Sequence, residues 1–249
     1  MNAHRLVSQE PSTEAQGGAS PLPVAELPDP VALIFDLDGT LVDTVGLRID
    51  AWLQTFAEVG IPADREHVAT LIGADGRRLA QEVAAVAGRP IDLARAEAID
   101  RRAGELYGAL NTAPRPLPGV TDLLEQLAGS DLRWAIATSS RAEQVMTSVE
   151  ALGLAELPMI IDGSHVEHAK PAPDLLLLAA DRLSSSPRGC WYIGDATWDM
   201  LAARSAGMVA IGVASGSATA EALGQAGAAG VTGMHELAAE LRRRGLLEA

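Results

Sequence analysis

Two groups of aspartates stand far apart in a chain of 249 residues: Asp36-Leu37-Asp38, and Asp195 with Asp199. Between them lie a hydroxyl run, Thr138-Ser139-Ser140, and Lys170. Lys170 is the only lysine; the other 18 of the 19 basic side chains are arginines. A sequence that uses the planar guanidinium for its other cations invites a chemical explanation for one compact ammonium. If these groups meet, two carboxylates about 4 Å apart repel by about 4 kcal/mol at an effective dielectric near 20. Gathering several needs a cation. Hard oxygen ligands suit Mg²⁺, which keeps waters and often binds one or two carboxylates plus substrate phosphate. One cysteine and scattered histidines offer zinc no recognised ligand spacing. A metal ion, an ammonium and a hydroxyl around a carboxylate would hold a phosphoryl group while that carboxylate attacks.

The elements that must position these groups are short apolar runs. Val31–Phe35, Trp134–Ala137, Met159–Ile161, Trp191–Ile193 and Val209–Val213 read as strands buried on both faces, with a weaker run near Val231. Helical stripes lie between them, such as Val120, Leu123, Leu124 and Leu127, or Val145, Val149 and Leu152. Pro173 suits a first helical turn before Leu175–Leu178. Strand alternating with helix predicts an α/β fold, a Rossmann-like parallel sheet wrapped by helices. In such sheets ligands sit beyond the carboxyl ends of the strands. Asp36, Thr138 and Asp195 each follow a predicted strand, and Lys170 falls in the loop before the Leu175 helix.

Residues 44–114 break the alternation. Val45, Ile49, Trp52, Leu53 and Phe56 recur at helical spacing, as do Leu79, Val83 and Val86, and then Leu93, Ile99, Ala103, Leu106 and Leu110. Gly60 is a candidate terminator of the first of these helices. The segment is expected to be an inserted all-helical cap domain on a core of residues 31–43 and 115–249. Residues 1–30, rich in proline and without apolar period, are expected to be a flexible tail. A net charge of −14 argues against nucleic acid or an anionic membrane as partner. No stretch is long and apolar enough to span a bilayer, and the start of the chain lacks a signal-peptide pattern. A cytoplasmic protein, monomer or homodimer, is expected, and the lone Cys190 fits a reducing compartment.

The segments Asp36-Leu37-Asp38-Gly39-Thr40-Leu41-Val42-Asp43, Thr138, Lys170-Pro171-Ala172-Pro173-Asp174 and Gly194-Asp195-Ala196-Thr197-Trp198-Asp199 resemble the four motifs of the haloacid dehalogenase-like hydrolase superfamily. The helical insert resembles the cap of its phosphoglycolate phosphatase and β-phosphoglucomutase branch. The resemblance implies an Mg²⁺-dependent phosphatase of a small phosphomonoester. Asp36 would be the nucleophile and form an aspartyl-phosphate; Asp38 would be the acid and base. Asp36, the backbone carbonyl of Asp38 and Asp195 would bind the metal, with Asp199 supporting them or the lysine. Thr138, Ser139 and Lys170 would grip the phosphoryl oxygens. Dehalogenases of the superfamily lack an acid at the Asp38 position, and phosphonate-cleaving members need a cap lysine that is missing here. A sugar-phosphate mutase on the same machinery, and a receiver-like phosphorylation switch, remain as alternatives.

Other polar residues have plainer readings. Arg77 or Arg78 in the insert could recognise a second anionic group on the substrate, or serve as solvated residues at a helix start. Asp43 is expected to cap the first insert helix, and Arg242-Arg243-Arg244 to offset a helix dipole. His165 and His168 read as exposed loop residues, and Cys190 as a buried apolar side chain.

Overall fold

Strand β1 (Ala32–Phe35) sits at the centre of a sheet that fixes the position of every acidic group discussed above. The computed structural model describes residues 21–248. After β1 come helices α1 (Val45–Glu58), α2 (Arg65–Leu71), α3 (Gly76–Val86) and α4 (Leu93–Leu110). Then follow α5 (Val120–Ala128), β2 (Arg133–Ala137), α6 (Ala142–Glu150), β3 (Met159–Ile161) and α7 (Asp174–Arg182). The chain continues through β4 (Cys190–Gly194), α8 (Thr197–Ala206), β5 (Val209–Val213), α9 (Ala220–Gln225), β6 (Gly230–Thr232) and α10 (Met234–Arg243).

All six strands are parallel in the order β3-β2-β1-β4-β5-β6. This is the doubly wound Rossmann-like order, in which successive strands run outward in opposite directions from the centre and leave a crevice there. The register pairs Phe35 with Ile136 on one side and Ile193 on the other. Asp36, Ala137 and Gly194, each one residue beyond, therefore stand level at the carboxyl edge.

Two apolar layers hold the sheet. On one face Leu33, Phe35, Trp191 and Ile193 pack with Val120, Leu123, Leu237 and Leu241 of α5 and α10. On the other, Ala32, Ile34 and Tyr192 pack with Leu175, Leu176, Met200 and Ala203 of α7 and α8. Helices α1–α4 have a separate core of Ile49, Trp52, Phe56, Val68, Leu79, Val83 and Ile99. Asp64, Asp75 and Asp92 each accept backbone N–H groups at the start of α2, α3 and α4.

Several expectations need correction. Val86 (73% exposed), Leu93 and Leu110 face solvent, because α3 buries Leu79, Ala80, Val83 and Ala84 and the buried face of α4 runs through Ala96, Ile99, Ala103 and Tyr107. The N-cap of α1 is Thr44, not Asp43. The tail expected over residues 1–30 lies outside the described residues as far as residue 20. From Pro21 on, the chain is packed: Val24 and Leu27 are buried, Leu22 N donates to Ala229 O, and Trp191 Nε1 donates to Pro28 O. Arg244 holds that stretch, donating to Val24 O and Leu27 O and pairing with Asp29 and Glu240. Its role is therefore tertiary, beyond compensation of a helix end. His165 folds back on its own loop, accepting from Asp162 N, while His168 is exposed. Cys190 is fully buried at the start of β4.

Candidate active site

The site begins where β1 and β4 stop. Asp36 N donates to Ile193 O at 2.8 Å, which ties the first residue after β1 to the neighbouring strand. Gly39, at φ +82°, turns the chain away at once, and a Cβ there would lie 2.5 Å from Asp195 Oδ2. Asp195 receives Thr40 Oγ1 on one oxygen (3.0 Å) and Ser217 N on the other (2.7 Å). Asp199, in the first turn of α8, accepts from Ala196 N (2.9 Å) and Tyr192 OH (3.2 Å). Lys170 comes from the loop before α7 and is wholly buried; its ammonium donates to Asp36 Oδ1 at 2.5 Å and to Asp199 Oδ1 at 2.8 Å.

Charge is unbalanced here. Asp36, Asp195 and Asp199 are at most 3% exposed, and one oxygen from each lies within 4.8 Å of the others, with a single ammonium among them. Burial pushes the Asp36 carboxyl well above its ordinary range, with Asp199 and Asp195 adding to it and Lys170 opposing. Burial, then Asp199, pushes Asp195 up to about 7. Lys170 is held firmly protonated: burial disfavours the ammonium, but Asp199 and Asp36 outweigh it. An excess of hard anionic oxygen calls for a hard cation. The Cα of Gly39 and Gly216 face Asp195, and a Cβ at Gly216 would come within 2.1 Å of its Oδ2. The donor chemistry fits a small divalent ion, and a side chain at either glycine would strike Asp195. Asp199, already engaged by three donors, is the least available of the three to ligate it.

Asp38 points elsewhere. Its carboxylate receives Thr44 Oγ1 (2.6 Å), Tyr107 OH (3.0 Å), Arg48 Nη2 (2.8 Å) and Ser140 Oγ (2.7 Å). Burial alone would raise its pKa; the Arg48 charge and the hydrogen bonds from Thr44, Arg48 and Ser140 prevail, and it is lowered. Tyr107 is pushed up to about 12, first by burial and then by Asp38.

These groups open into a cavity of about 410 Å³ between the sheet edge and α1–α4. Thr138 and Ser139 line it; the Thr138 hydroxyl accepts Ser140 N, and the Ser139 hydroxyl donates to Gly73 O across to the helices. Asp75 N donates to Lys170 O (2.9 Å), and Trp198 Nε1 donates to Thr70 O. Arg141 bridges from the loop after β2 to Glu97 (2.7 Å) and Asp100 (2.8 Å) on α4. Arg77 reaches the cavity wall, but Asp75 holds it through two nitrogens. Arg78 is paired with Glu82, lies over the Trp198 ring and takes no part in the lining. Neither is a free anion receptor.

Sequence reasoning missed Arg48 and Tyr107. Arg48 carried a signal, as a charged residue inside the apolar stripe of Val45, Ile49 and Trp52. Tyr107 lay one position off the stripe expected for its helix. Tyr192, beneath Asp199 and Lys170, read only as part of an apolar strand.

Residues 33–213 match the family model for haloacid dehalogenase-like hydrolases. The chain belongs to that family. It is 33% identical over 196 residues to the probable phosphatase IndB of Dickeya dadantii, covering 77% of this chain and 84% of the relative. It is 32% identical to the β-phosphoglucomutase of Bacillus subtilis, over 74% of this chain and 84% of that one. Against the fructose-1-phosphate phosphatase YqaB of Escherichia coli the identity is again 32%, over 73% and 95%. A hydrolase from Pseudomonas syringae has a similar structure, with TM-score 0.80 and 33% identity, covering 85% of this chain and 98% of that chain. Among the described residues, no helix is long and apolar enough to cross a membrane.

Proposed function

We propose that the protein is an Mg²⁺-dependent phosphatase of small phosphomonoesters that works through an aspartyl-phosphate on Asp36. The observation that carries the reading is the buried Lys170 ammonium joined to both Asp36 and Asp199 beside Asp195, at the mouth of a cavity. Relatives at comparable identity are a probable phosphatase, a fructose-1-phosphate phosphatase and a mutase of phosphoglucose.

Asp36, Asp195 and the backbone carbonyl of Asp38 would hold the metal ion, whose charge offsets the carboxylates and the substrate's phosphoryl oxygens. Lys170 has three N–H donors; Asp36 and Asp199 take two, leaving one for a phosphoryl oxygen. The Thr138 hydroxyl and the backbone N–H of Ser139 supply further donors. The free oxygen of Asp36 attacks phosphorus as the bond to the leaving oxygen breaks, and Asp38 gives that oxygen its proton. Water then attacks phosphorus, Asp38 takes its proton, and the bond to Asp36 breaks to release inorganic phosphate. Helices α1–α4 act as a cap that covers the reacting groups and selects the leaving group.

The test is phosphate release from a panel of phosphomonoesters with Mg²⁺ and with chelator, repeated on Asp36→Asn. Turnover is expected to vanish with chelator and in the variant; persistence in the variant refutes the nucleophile. The Bacillus subtilis relative favours a second reading, a sugar-phosphate mutase. Conversion of a hexose 1-phosphate to the 6-phosphate, without free phosphate, would replace the phosphatase reading.

A further inference from the structure

Asp38 is held by four donors from three parts of the chain: the start of α1, α4 and the loop after β2. Thr44 and Tyr107 take one oxygen, Arg48 and Ser140 the other. A carboxylate has about four lone-pair sites, so this one is fully met in its ionised form. Two of the donors, Arg48 on α1 and Tyr107 on α4, are themselves fixed. The guanidinium of Arg48 lies 3.6 Å from the centre of the Tyr107 ring and donates to Gln144 Oε1 (3.0 Å) and Ser140 Oγ (2.5 Å). The Tyr107 hydroxyl donates to Asp38, accepts from Asn111 Nδ2 at 2.9 Å and lies 3.3 Å from Ser148 Oγ. Tyr107 and Asn111 are at most 2% exposed, and water has no easy entry to replace either bond.

We propose that Arg48 and Tyr107 are positioning residues which aim the Asp38 carboxylate at water during hydrolysis of the aspartyl-phosphate. This rests on the phosphatase reading above. Ser140, the donor carried beside Thr138, has a hydroxyl that can rotate. Turning it away frees one Asp38 lone pair, while Arg48 and Tyr107 keep the group in place. Water enters there, its oxygen bonds to phosphorus, its proton passes to Asp38, and the phosphorus–oxygen bond to Asp36 breaks. The first step calls for the opposite of this arrangement, a carboxyl that gives up a proton. The two residues therefore act chiefly on the second step, and only while α1 and α4 are seated on the core.

Rapid mixing with p-nitrophenyl phosphate and Mg²⁺ separates the steps. p-Nitrophenol is released as Asp36 is phosphorylated, and steady turnover then reports hydrolysis. p-Nitrophenolate leaves without much help from an acid, so the first step is insulated from Asp38. In Arg48→Gln, steady turnover is expected to fall about 10²-fold, the scale of lost acid–base help. A burst of about one p-nitrophenol per chain should appear before it. Arg48→Lys should recover part of the turnover, because the charge returns without the planar fork. Tyr107→Phe, which loses one hydrogen bond, should slow turnover about fivefold and also show a burst. Thermal melting identifies variants that fail to fold, and Arg48→Lys and Tyr107→Phe are the mild forms. Unchanged turnover in Arg48→Gln, or equal loss of burst and turnover in folded protein, overturns the assignment. Wild-type protein with neither burst nor turnover, or an Asp36→Asn variant that turns over, overturns the phosphatase reading instead.

Discussion

The ammonium of Lys170 and the carboxylate of Asp199 meet 2.8 Å apart with neither side chain exposed to solvent. One lies in the loop before α7 and the other on α8, so this bond joins two crossovers at the edge of the sheet. Removing one partner of a buried pair strands the other charge, at a typical cost of about 3–5 kcal/mol. Lys170→Met should therefore lower the urea midpoint strongly and abolish phosphate release. Lys170→Met with Asp199→Asn should recover much of the stability, since the Asn oxygen still accepts Ala196 N, and stay inactive. Recovery of activity in the pair would show that the ammonium has only a structural role.

Gly216 offers a sharper probe of metal binding. A methyl group there would lie 2.1 Å from Asp195 Oδ2 and 2.9 Å from the Cα of Gly39. Gly216→Ala should displace the carboxylate and weaken Mg²⁺ binding, measured by calorimetry, by about 10–100-fold, the usual effect of disturbing a ligand's support. Unaltered affinity would remove Asp195 from the ligand set.

Acidity gives an independent test. In folded protein without metal, burial and Asp199 keep Asp195 protonated up to about 7. In the unfolded chain an aspartate ionises near pH 3.9, so the folded state binds the extra proton between these values. Stability from this group thus declines as pH rises from about 4 to about 7. Mg²⁺ competes with that proton. Its Tm gain should be small at acid pH and large above neutrality; a larger gain at acid pH would contradict ligation by Asp195.

Arg141 predicts a different pattern. It clasps Glu97 and Asp100 across the cavity and is one-third exposed. Burial raises the Asp100 carboxyl even against this pairing. Arg141→Ala should raise KM by about fivefold, the equivalent of a partly screened ion pair, and leave kcat nearly unchanged. High salt should raise KM in the wild type and have little effect in the variant. A kcat loss at constant KM would place Arg141 among the reacting groups.

The strands were legible because each is a continuous apolar run. Once parallel pairing is assumed, the residue after each run must stand at the carboxyl edge, which brought Asp36, Thr138 and Asp195 to attention together. Helix phase was less legible. Val86, Leu93 and Leu110 fit an apolar period, yet the packing partners decide which neighbouring stripe is buried, and α4 turns Tyr107 inward instead. Arg48 shows the same limit from the other side: its burial depends on Asp38, across the turn after β1, and on the Tyr107 ring, which is far from it in sequence. Residues 21–30 lack a local pattern because their stabilising partners, Trp191 and Arg244, are supplied from distant parts of the fold.

Arg244 sets one more property of the molecule. It fastens the stretch ahead of β1 to the end of α10, and both belong to the amino-terminal edge of a parallel sheet. The cavity of the proposed active site lies at the other edge. A fusion partner, surface tether or affinity handle joined through either of these regions would therefore sit behind the catalytic mouth, leaving traffic of ester and phosphate unobstructed.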